Sequence, residues 1–211
     1  GDIADYSISV TNPVTADCHD EIVFSVAPPP TITSVQPSEI CADMEFTLDL
    51  TGTGFATSTA VFLIAQEDGA AYQATHTAVS SDGTSMQATW TSGIPAGDYD
   101  LKVSNGADCE STKTGVLTVY PRPIIFFIDP PVIFNGLDFQ ATMYVANING
   151  GAVNAVQTRR MPTGAFQTLE HFYDLSEPGQ VKVTFPDGMV GADQKFAYEV
   201  TLEDAMGCPA A

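Results

Sequence analysis

The chain has 211 residues, enough for two small domains, and its formal net charge is −19, from 26 acidic residues against 7 basic ones. Nucleic acids and anionic membrane surfaces are bound through basic footprints, so we expect neither as a partner. No apolar run of about 18 residues occurs, so we expect no insertion into a membrane. The acidic balance favours solubility in an exterior compartment.

The candidate strands fall into three groups along the chain. Residues 1–27 contain two of them, Asp5–Val10 and Glu21–Val26. Residues 28–122 contain candidate strands at 31–36, 45–51, 59–66, 71–79, 84–91, 97–104 and 115–120. Residues 123–211 contain candidate strands at 124–128, 138–145, 153–160, 166–173, 180–185 and 195–202. Apolar and polar residues alternate in these segments without helical periodicity, so the sequence predicts an all-β fold.

The three groups are copies of one repeat. Four pairs of equivalent residues are each separated by 93 positions: Asp5 and Asp98, Val10 and Val103, Val26 and Val119, Pro37 and Pro130. A fixed period with retained turn residues indicates an internal repeat. We therefore predict that residues 1–27 are the last two strands of a preceding repeat or a donor segment. Residues 28–122 are expected to form a complete sandwich, and residues 123–211 a sandwich that lacks its final strand.

One strand and the turns around it resemble a known family. The segment Phe46–Phe55 alternates apolar and polar residues, then reaches Gly52 and Gly54, where the backbone needs conformations that side chains restrict. A strand bounded by prolines (30–37) precedes it, and a Pro-Ala-Gly turn (95–97) leads into a later alternating strand. This combination resembles the immunoglobulin-like IPT/TIG domain of plexins, some transcription factors and bacterial surface proteins. The resemblance implies tandem Ig-like (IPT/TIG-type) β-sandwiches arranged end to end.

The disulfide candidates are Cys18, Cys41, Cys109 and Cys208. They form no Cys-x-x-Cys pair and share no ligand spacing with the histidines, so we expect neither a metal site nor a cofactor. In the Ig-like arrangement that the resemblance implies, Cys41 lies in the loop between the first two strands, and Cys109 and Cys208 follow the sixth strand at the opposite end. End-to-end stacking then favours an interdomain Cys41–Cys208 bond. A Cys41–Cys109 bond within one domain, free thiols and intermolecular bonds stay open.

The two linkers are rich in proline. Ala27–Pro30 and Tyr120–Pro123 each join the last strand of one repeat to the first strand of the next. Proline fixes φ and also restricts the residue before it, so both joints are short and stiff. This pattern predicts a rod of stacked sandwiches.

A spare strand pair at one end and a missing strand at the other have two explanations. One is an arbitrary cut through a tandem array. The other is donor-strand complementation, in which a strand of one molecule fills the empty sheet edge of the next and builds a filament. The candidate donor residues are Glu21, Ile22, Val23, Phe24, Ser25 and Val26.

The sequence contains no nucleophile elbow, no phosphate-binding loop and no HExxH motif, so we expect no enzyme. Arg159 and Arg160 are the only adjacent basic pair, and they are candidates for a surface ion pair or for contact with an acidic subunit or a glycan. Four aromatic residues could form a carbohydrate-stacking face: Phe166, Phe172, Tyr173 and Phe185. Alternation makes Phe166 and Phe172 core candidates first.

We interpret the chain as a non-enzymatic structural or adhesive repeat region of a secreted or cell-surface protein, acting as a stiff spacer outside the cell. One alternative is a pilus-like filament subunit, and another is a carbohydrate-binding accessory module of an extracellular enzyme. The expected partners are neighbouring repeats, identical subunits and a surface glycan or protein.

Overall fold

Strands make up almost all of the regular structure. The computed structural model describes residues 4–11, 19–26, 28–91, 93–106, 109–133, 138–189 and 196–211. Within these ranges it contains strands and a single turn of 3₁₀ helix at Asn149–Gly151. No helix in this described part of the chain has the length and apolar character needed to cross a membrane. The predicted all-β class is therefore confirmed.

The first two strands form a hairpin. Strands β1 (Ala4–Thr11) and β2 (His19–Val26) pair antiparallel, with Tyr6 opposite Phe24 and Ile8 opposite Ile22. Directly opposed residues share one face of a sheet, so Tyr6, Ile8 and Ile22 lie together. Their side chains are exposed to 53%, 58% and 65%. The candidate donor strand lies inside β2.

Nine strands follow before the linker at Tyr120–Pro123. They are β3 (Thr31–Gln36), β4 (Glu39–Cys41), β5 (Phe46–Thr53), β6 (Ala60–Ala65), β7 (Ala71–Gln73), β8 (His76–Val79), β9 (Ser85–Trp90), β10 (Gly97–Ser104) and β11 (Glu110–Tyr120). β4 was not predicted, because three residues are too few for alternation to show. The predicted strand at 71–79 is two strands, because the chain changes sheets there. The Ala74 N–H binds the carbonyl of Val61 on β6, whereas the Thr75 N–H binds that of Thr89 on β9.

Contacts divide the chain into two compact units. The first unit contains Gly1–Ser38, Glu45–Ser92 and Asp98–Leu117. The second unit contains Glu39–Met44, Gly93–Gly97 and Thr118–Ala211. The division passes through β11, whose last three residues pair in parallel with β4 inside the second unit.

The first unit contains an immunoglobulin-like sandwich. One sheet has the strand order β3-β5-β9-β8, and the other runs β11-β10-β6-β7. This is the strand order of an Ig sandwich with one added strand. On β5, Leu48 and Leu50 enter the core, and the alternating residues Thr47, Asp49 and Thr51 face solvent. Gly52 allows β5 and β3 to approach, because a Cβ atom there would lie 1.9 Å from the carbonyl oxygen of Thr31.

Aromatic side chains fill one end of this core. Trp90 is 2% exposed, stacks on Phe46 with ring centroids 5.2 Å apart, and donates its indole N–H to the carbonyl of Tyr72 at 3.0 Å. Tyr99 is 1% exposed and meets the Tyr72 ring edge to face. Burial, followed by the nearby Tyr72 and Asp68, raises the pKa of Tyr99 to about 12.

The second unit contains one six-stranded sheet that curves around its own core. Its strands are β12 (Ile124–Asp129), β13 (Phe139–Ala146), β14 (Val153–Arg160), β15 (Gln167–Tyr173), β16 (Gln180–Phe185) and β17 (Tyr198–Asp204). The strand order is β12-β13-β16-β15-β14-β17, so β17 is an edge strand. The core is formed by apolar side chains from all strands but β12: Ala141, Met143, Val145, Val156, Leu169, Val181, Val183, Phe185 and Leu202.

Candidate functional site

A disulfide joins two distant parts of the chain within the second unit. Cys41 and Cys208 are separated by 167 positions, and their Cα atoms lie 5.5 Å apart, which is ordinary disulfide geometry. Cys41 ends β4 rather than lying in a loop, and Cys208 follows β17. This is the pair that end-to-end stacking favours, and the alternative Cys41–Cys109 bond is wrong. Because residues 39–44 belong to the second unit, the bond lies inside that unit.

The buried carboxylate of Asp204 positions Cys208. The Asp204 side chain is fully buried, and its Oδ1 accepts hydrogen bonds from the N–H groups of Met206 at 3.0 Å and Cys208 at 2.9 Å. Its Oδ2 accepts from the backbone N–H of Asn149 at 3.1 Å and from the Asn149 side-chain amide at 2.6 Å. A carboxylate with this many donors is well satisfied when buried. It therefore holds the turn that carries Cys208 against the loop that contains Asn149.

Hydrogen bonds also hold the linker at Tyr120–Pro123. The guanidinium of Arg122 donates to the carbonyl of Pro209 at 3.1 Å and to that of Ala210 at 2.6 Å. The side-chain amide of Asn149 donates to the carbonyl of Pro121 at 2.8 Å. Proline already limits rotation here, so these bonds leave the linker few free torsions.

The sequence pointed to this segment through its prolines but not to Arg122, Asn149 or Asp204. A single arginine or asparagine next to a proline forms no pattern that distinguishes it from a surface residue. A sequence signal does exist in hindsight, because Asp204 precedes Cys208 by four residues as Asn105 precedes Cys109.

Cys109 occupies a turn like that of Cys208 and makes no disulfide within the described residues. Its carbonyl accepts the N–H of Asn105 at 3.0 Å, as the carbonyl of Cys208 accepts that of Asp204 at 3.1 Å. Cys18, the other disulfide candidate, lies outside the described residues.

Arg159 and Arg160 line a cleft of about 280 Å³ at the end of β14. The Arg159 guanidinium lies 2.6 Å from the Glu199 carboxylate. Arg159 therefore forms a surface ion pair, which is one of the two roles predicted for it. The Arg160 guanidinium lies over the ring of Phe196, 3.1 Å from its centroid. A contact of either arginine with an acidic subunit or a glycan stays a prediction.

The aromatic residues named as a carbohydrate-stacking face do not share one face. Phe185 is 4% exposed in the core, and Tyr173 packs against the core. Phe166 and Phe172, expected first as core residues, are 44% and 59% exposed. This expectation was wrong. In β15, which begins at Gln167, Leu169 and Tyr173 face the core, so alternation places Phe172 on the opposite, exposed face.

A stacked aromatic pair on the outer face of the same sheet was missed. The rings of Phe127 and Tyr144 lie 4.4 Å apart between centroids and 20° from parallel. The pairing of β12 with β13 shifts between Ile125 and Phe127, so a bulge changes which residues face outward. Strict alternation across that bulge therefore assigns the wrong face.

Comparison with known proteins gives weak structural likenesses alone. No protein-family model matches the chain, and no curated protein matches it. The likenesses are to solved structures. The titin I-band fragment I67-I69 is 14% identical, with 100% of this chain and 74% of that one covered and a TM-score of 0.39. The plexin A4 extracellular region is 11% identical, with 92% and 17% covered and a TM-score of 0.38.

A complex of Dpr11 IG1 with DIP-gamma IG+IG2 is also similar to the chain, at 14% identity, with 86% of this chain and 94% of that one covered and a TM-score of 0.35. All three TM-scores lie below 0.5. The Ig-like assignment therefore rests on the strand order within the first unit.

Proposed function

We propose that this chain is a non-enzymatic structural or adhesive region of a secreted or cell-surface protein, in which Ig-like sandwiches follow one another end to end as a stiff spacer. The observation that carries the proposal is the linker at Tyr120–Pro123. Its Arg122 donates to the carbonyl of Ala210, its Pro121 carbonyl accepts from Asn149, and the Cys41–Cys208 disulfide cross-links the same unit. A linker held in this way transmits orientation rather than absorbing bending.

The disulfide also supports a location outside the cell. Disulfides persist in oxidising compartments and are rare in the cytosol, where thiols are kept reduced. An acidic chain with a net charge of −19 is well suited to stay soluble there.

The test is a distance distribution between two spin labels, measured by double electron-electron resonance. Labels at Thr77→Cys and Thr168→Cys are carried in a Cys18→Ser/Cys109→Ser background, which leaves the Cys41–Cys208 disulfide intact. Both label positions are exposed, and one lies in each unit. We expect one narrow distribution for this protein. Adding Arg122→Ala and Asn149→Ala should broaden it, because the linker loses the bonds from Arg122 to the carbonyls of Pro209 and Ala210 and the bond from Asn149 to the carbonyl of Pro121.

Lys102→Ala is the matched control, because it removes an exposed ion pair with Glu110 on the first unit and should leave the width unchanged. A distribution that is already broad before the linker substitutions would contradict a stiff spacer. So would linker variants whose widths equal that of the control.

A filament joined by strand donation is a second candidate, supported by the hairpin. Tyr6, Ile8 and Val10 on β1 are 53–66% exposed, whereas their repeat equivalents on β10 are buried, at 0–1%. Those equivalents are Tyr99, Leu101 and Val103. The hairpin thus presents the core face of a strand pair. β17 ends the sheet of the second unit, but Pro209 and Ala210 already pair with Glu203 and Leu202 on it, so β2 of another copy would have to displace that segment.

Sedimentation over a range of protein concentrations tests this candidate. Polymers should form at high concentration and be lost in Ile8→Asp, which charges the apolar face. Ser7→Asp, on the opposite face of the same strand, should still polymerise. A monomer at every concentration excludes the filament.

A further inference from the structure

The two units carry the same pair of strands with different outer faces. β3 pairs with β5 so that Ser34 lies opposite Thr51, and β12 pairs with β13 so that Phe127 lies opposite Tyr144. In both pairs the register shifts just before the named residue, and the equivalent residues are 93 positions apart. The two pairs are therefore the same place in the repeat.

In the first unit this face is a set of short polar side chains bonded to one another. The hydroxyls of Ser34 and Thr51 are 2.7 Å apart, and so are those of Thr47 and Thr89. Gln87 also donates to Asp49 at 2.8 Å. A sheet of this kind needs no aromatic residue on its outer face to fold. The stacked rings of Phe127 and Tyr144 are thus not required by the architecture.

The second unit exposes these rings rather than covering them. Phe126 and Phe127 on β12 are 62% and 55% exposed, and Phe172 on β15 is 59% exposed. Polar side chains lie between them, because Gln180 is opposite Tyr144 and Lys182 is opposite both Thr142 and Phe172. Within the described residues, the side chains of Gln180 and Lys182 make no hydrogen bond. The face therefore offers aromatic rings together with the Gln180 amide and the Lys182 ammonium group, which lies within electrostatic reach of the Asp174 carboxylate.

We propose that this outer face of β12, β13, β16 and β15 binds a neutral polysaccharide. The C–H groups on one face of a pyranose ring pack against an aromatic ring, and its hydroxyls need hydrogen-bond partners beside that ring. The exposed side of the Phe127–Tyr144 stack supplies the aromatic packing surface, and Gln180 and Lys182 supply the hydrogen-bond partners. This binding goes beyond the spacer function.

Charge favours a neutral glycan over the other polymers. An acidic polysaccharide is repelled by a chain of net charge −19. A protein partner would bury the middle of the face, where the charged Lys182 lies next to Phe172, and the centres of protein interfaces are depleted in charged residues. A neutral sugar pays neither cost, because its hydroxyls can accept hydrogen bonds from the lysine.

The test is native gel electrophoresis of the full chain in gels that contain soluble starch, laminarin, xylan, galactomannan, xyloglucan or dextran. We expect at least one of these polymers to retard the protein in a concentration-dependent way. Phe127→Ser/Tyr144→Thr, which installs the residues of the first unit at the same positions, should weaken binding about tenfold or more, because the stacking surface is lost. The first unit carries these residues at the same place, so the variant is expected to fold. Retention of the Cys41–Cys208 bond and of the thermal midpoint checks this.

Thr51→Ala, at the equivalent position on the first unit, is the matched control and should be retarded like the original protein. Gln180→Ala should weaken binding less than the aromatic double variant, because it removes one hydrogen-bonding group and no ring. Migration unchanged by all six polymers would overturn the proposal. Equal retardation of the folded double variant would overturn it as well, because binding would then not use this face. A rigid linker would survive either result, since the label distances do not depend on sugar binding.

Discussion

Two turns in this molecule share one backbone hydrogen bond and differ in their chemistry. In the first unit Asn105 begins the turn that reaches Cys109, and in the second unit Asp204 begins the turn that reaches Cys208. In both, the N–H of the first residue binds the carbonyl of the cysteine four residues later. In both, the side chain of the first residue also bonds the segment that follows the long strand β5 or its equivalent β13. Asn105 donates to the carbonyl of Gly54 at 2.8 Å, and Asp204 accepts from Asn149.

The difference lies in what the turn is bonded to. Asp204 is a fully buried carboxylate that accepts four N–H groups, and the cysteine it positions forms a disulfide. Asn105 supplies one donor and accepts the hydroxyl of Thr59, and Cys109 makes no disulfide within the described residues. The turn in the second unit is therefore cross-linked to β4 through its cysteine, whereas the turn in the first unit makes no such bond within the described residues.

Removing the disulfide should produce the largest difference in stability between variants of the two turns. Cys41→Ser/Cys208→Ser frees two residues 167 positions apart, and the unfolded chain regains the entropy of a long loop. We expect a loss of about 2–5 kcal/mol in the free energy of unfolding of the second unit, measured by urea denaturation. Cys109→Ser, at the equivalent turn, should change stability by less than about 0.5 kcal/mol. Equal losses in the two variants would show that the turns do not differ as described.

Truncating the first residue of each turn should give the next largest difference. Asp204→Ala leaves the N–H groups of Asn149, Met206 and Cys208 buried without their acceptor, so we expect a loss of about 3 kcal/mol. Asn105→Ala should lose about 1 kcal/mol, because its bonds are part of a less buried network. Urea denaturation of both variants measures the difference between these two losses, after mass spectrometry has confirmed that the Cys41–Cys208 disulfide is intact in each. A larger loss from Asn105→Ala would contradict the special role of the buried carboxylate.

The sequence predicted the parts of this comparison that follow a pattern. The repeat predicted that Cys109 and Cys208 occupy equivalent turns, and stacking of the repeats favoured Cys208 over Cys109 as the partner of Cys41. It did not predict the buried carboxylate, since Asp204 is one of 26 acidic residues and nothing local marks it as buried. It also missed Phe127, because a bulge shifts the alternation by one residue, and periodicity carries no signal for a bulge.

The strand that leads into the first turn should also respond to alkaline pH. Tyr99 on β10 is 1% exposed and has a pKa of about 12, whereas its equivalent Tyr198 on β17 is only partly buried. An unfolded tyrosine ionises near pH 10. The contribution of Tyr99 is therefore fully present below about pH 10 and is lost as pH rises toward 12, because the unfolded state releases its proton first.

Tyr99→Phe removes this titration. Its stability should fall less steeply than that of the original protein between about pH 10 and pH 12, as measured by urea denaturation at each pH. Tyr198→Phe removes a hydroxyl that donates to the carbonyl of Met189 at 2.6 Å, so it should lower stability at neutral pH. Parallel pH curves for Tyr99→Phe and the original protein would mean that burial of Tyr99 does not oppose its ionisation.

The smallest expected effect concerns the exposed Lys102–Glu110 ion pair, which joins the two strands on either side of the first turn. Lys102 on β10 hydrogen-bonds both carboxylate oxygens of Glu110 at 3.1 Å, and this contact lowers the pKa of Glu110 below its ordinary value. A lowered carboxyl pKa stabilises the folded state above the ordinary value and loses that contribution as pH falls through the lowered one. Lys102→Ala should return the Glu110 pKa toward its ordinary value, observed by NMR titration of its side chain. High salt should produce part of the same change in the original protein, because the pair is exposed and screened. If neither Lys102→Ala nor high salt changed the Glu110 titration, the lysine contact would not be what lowers the pKa of Glu110.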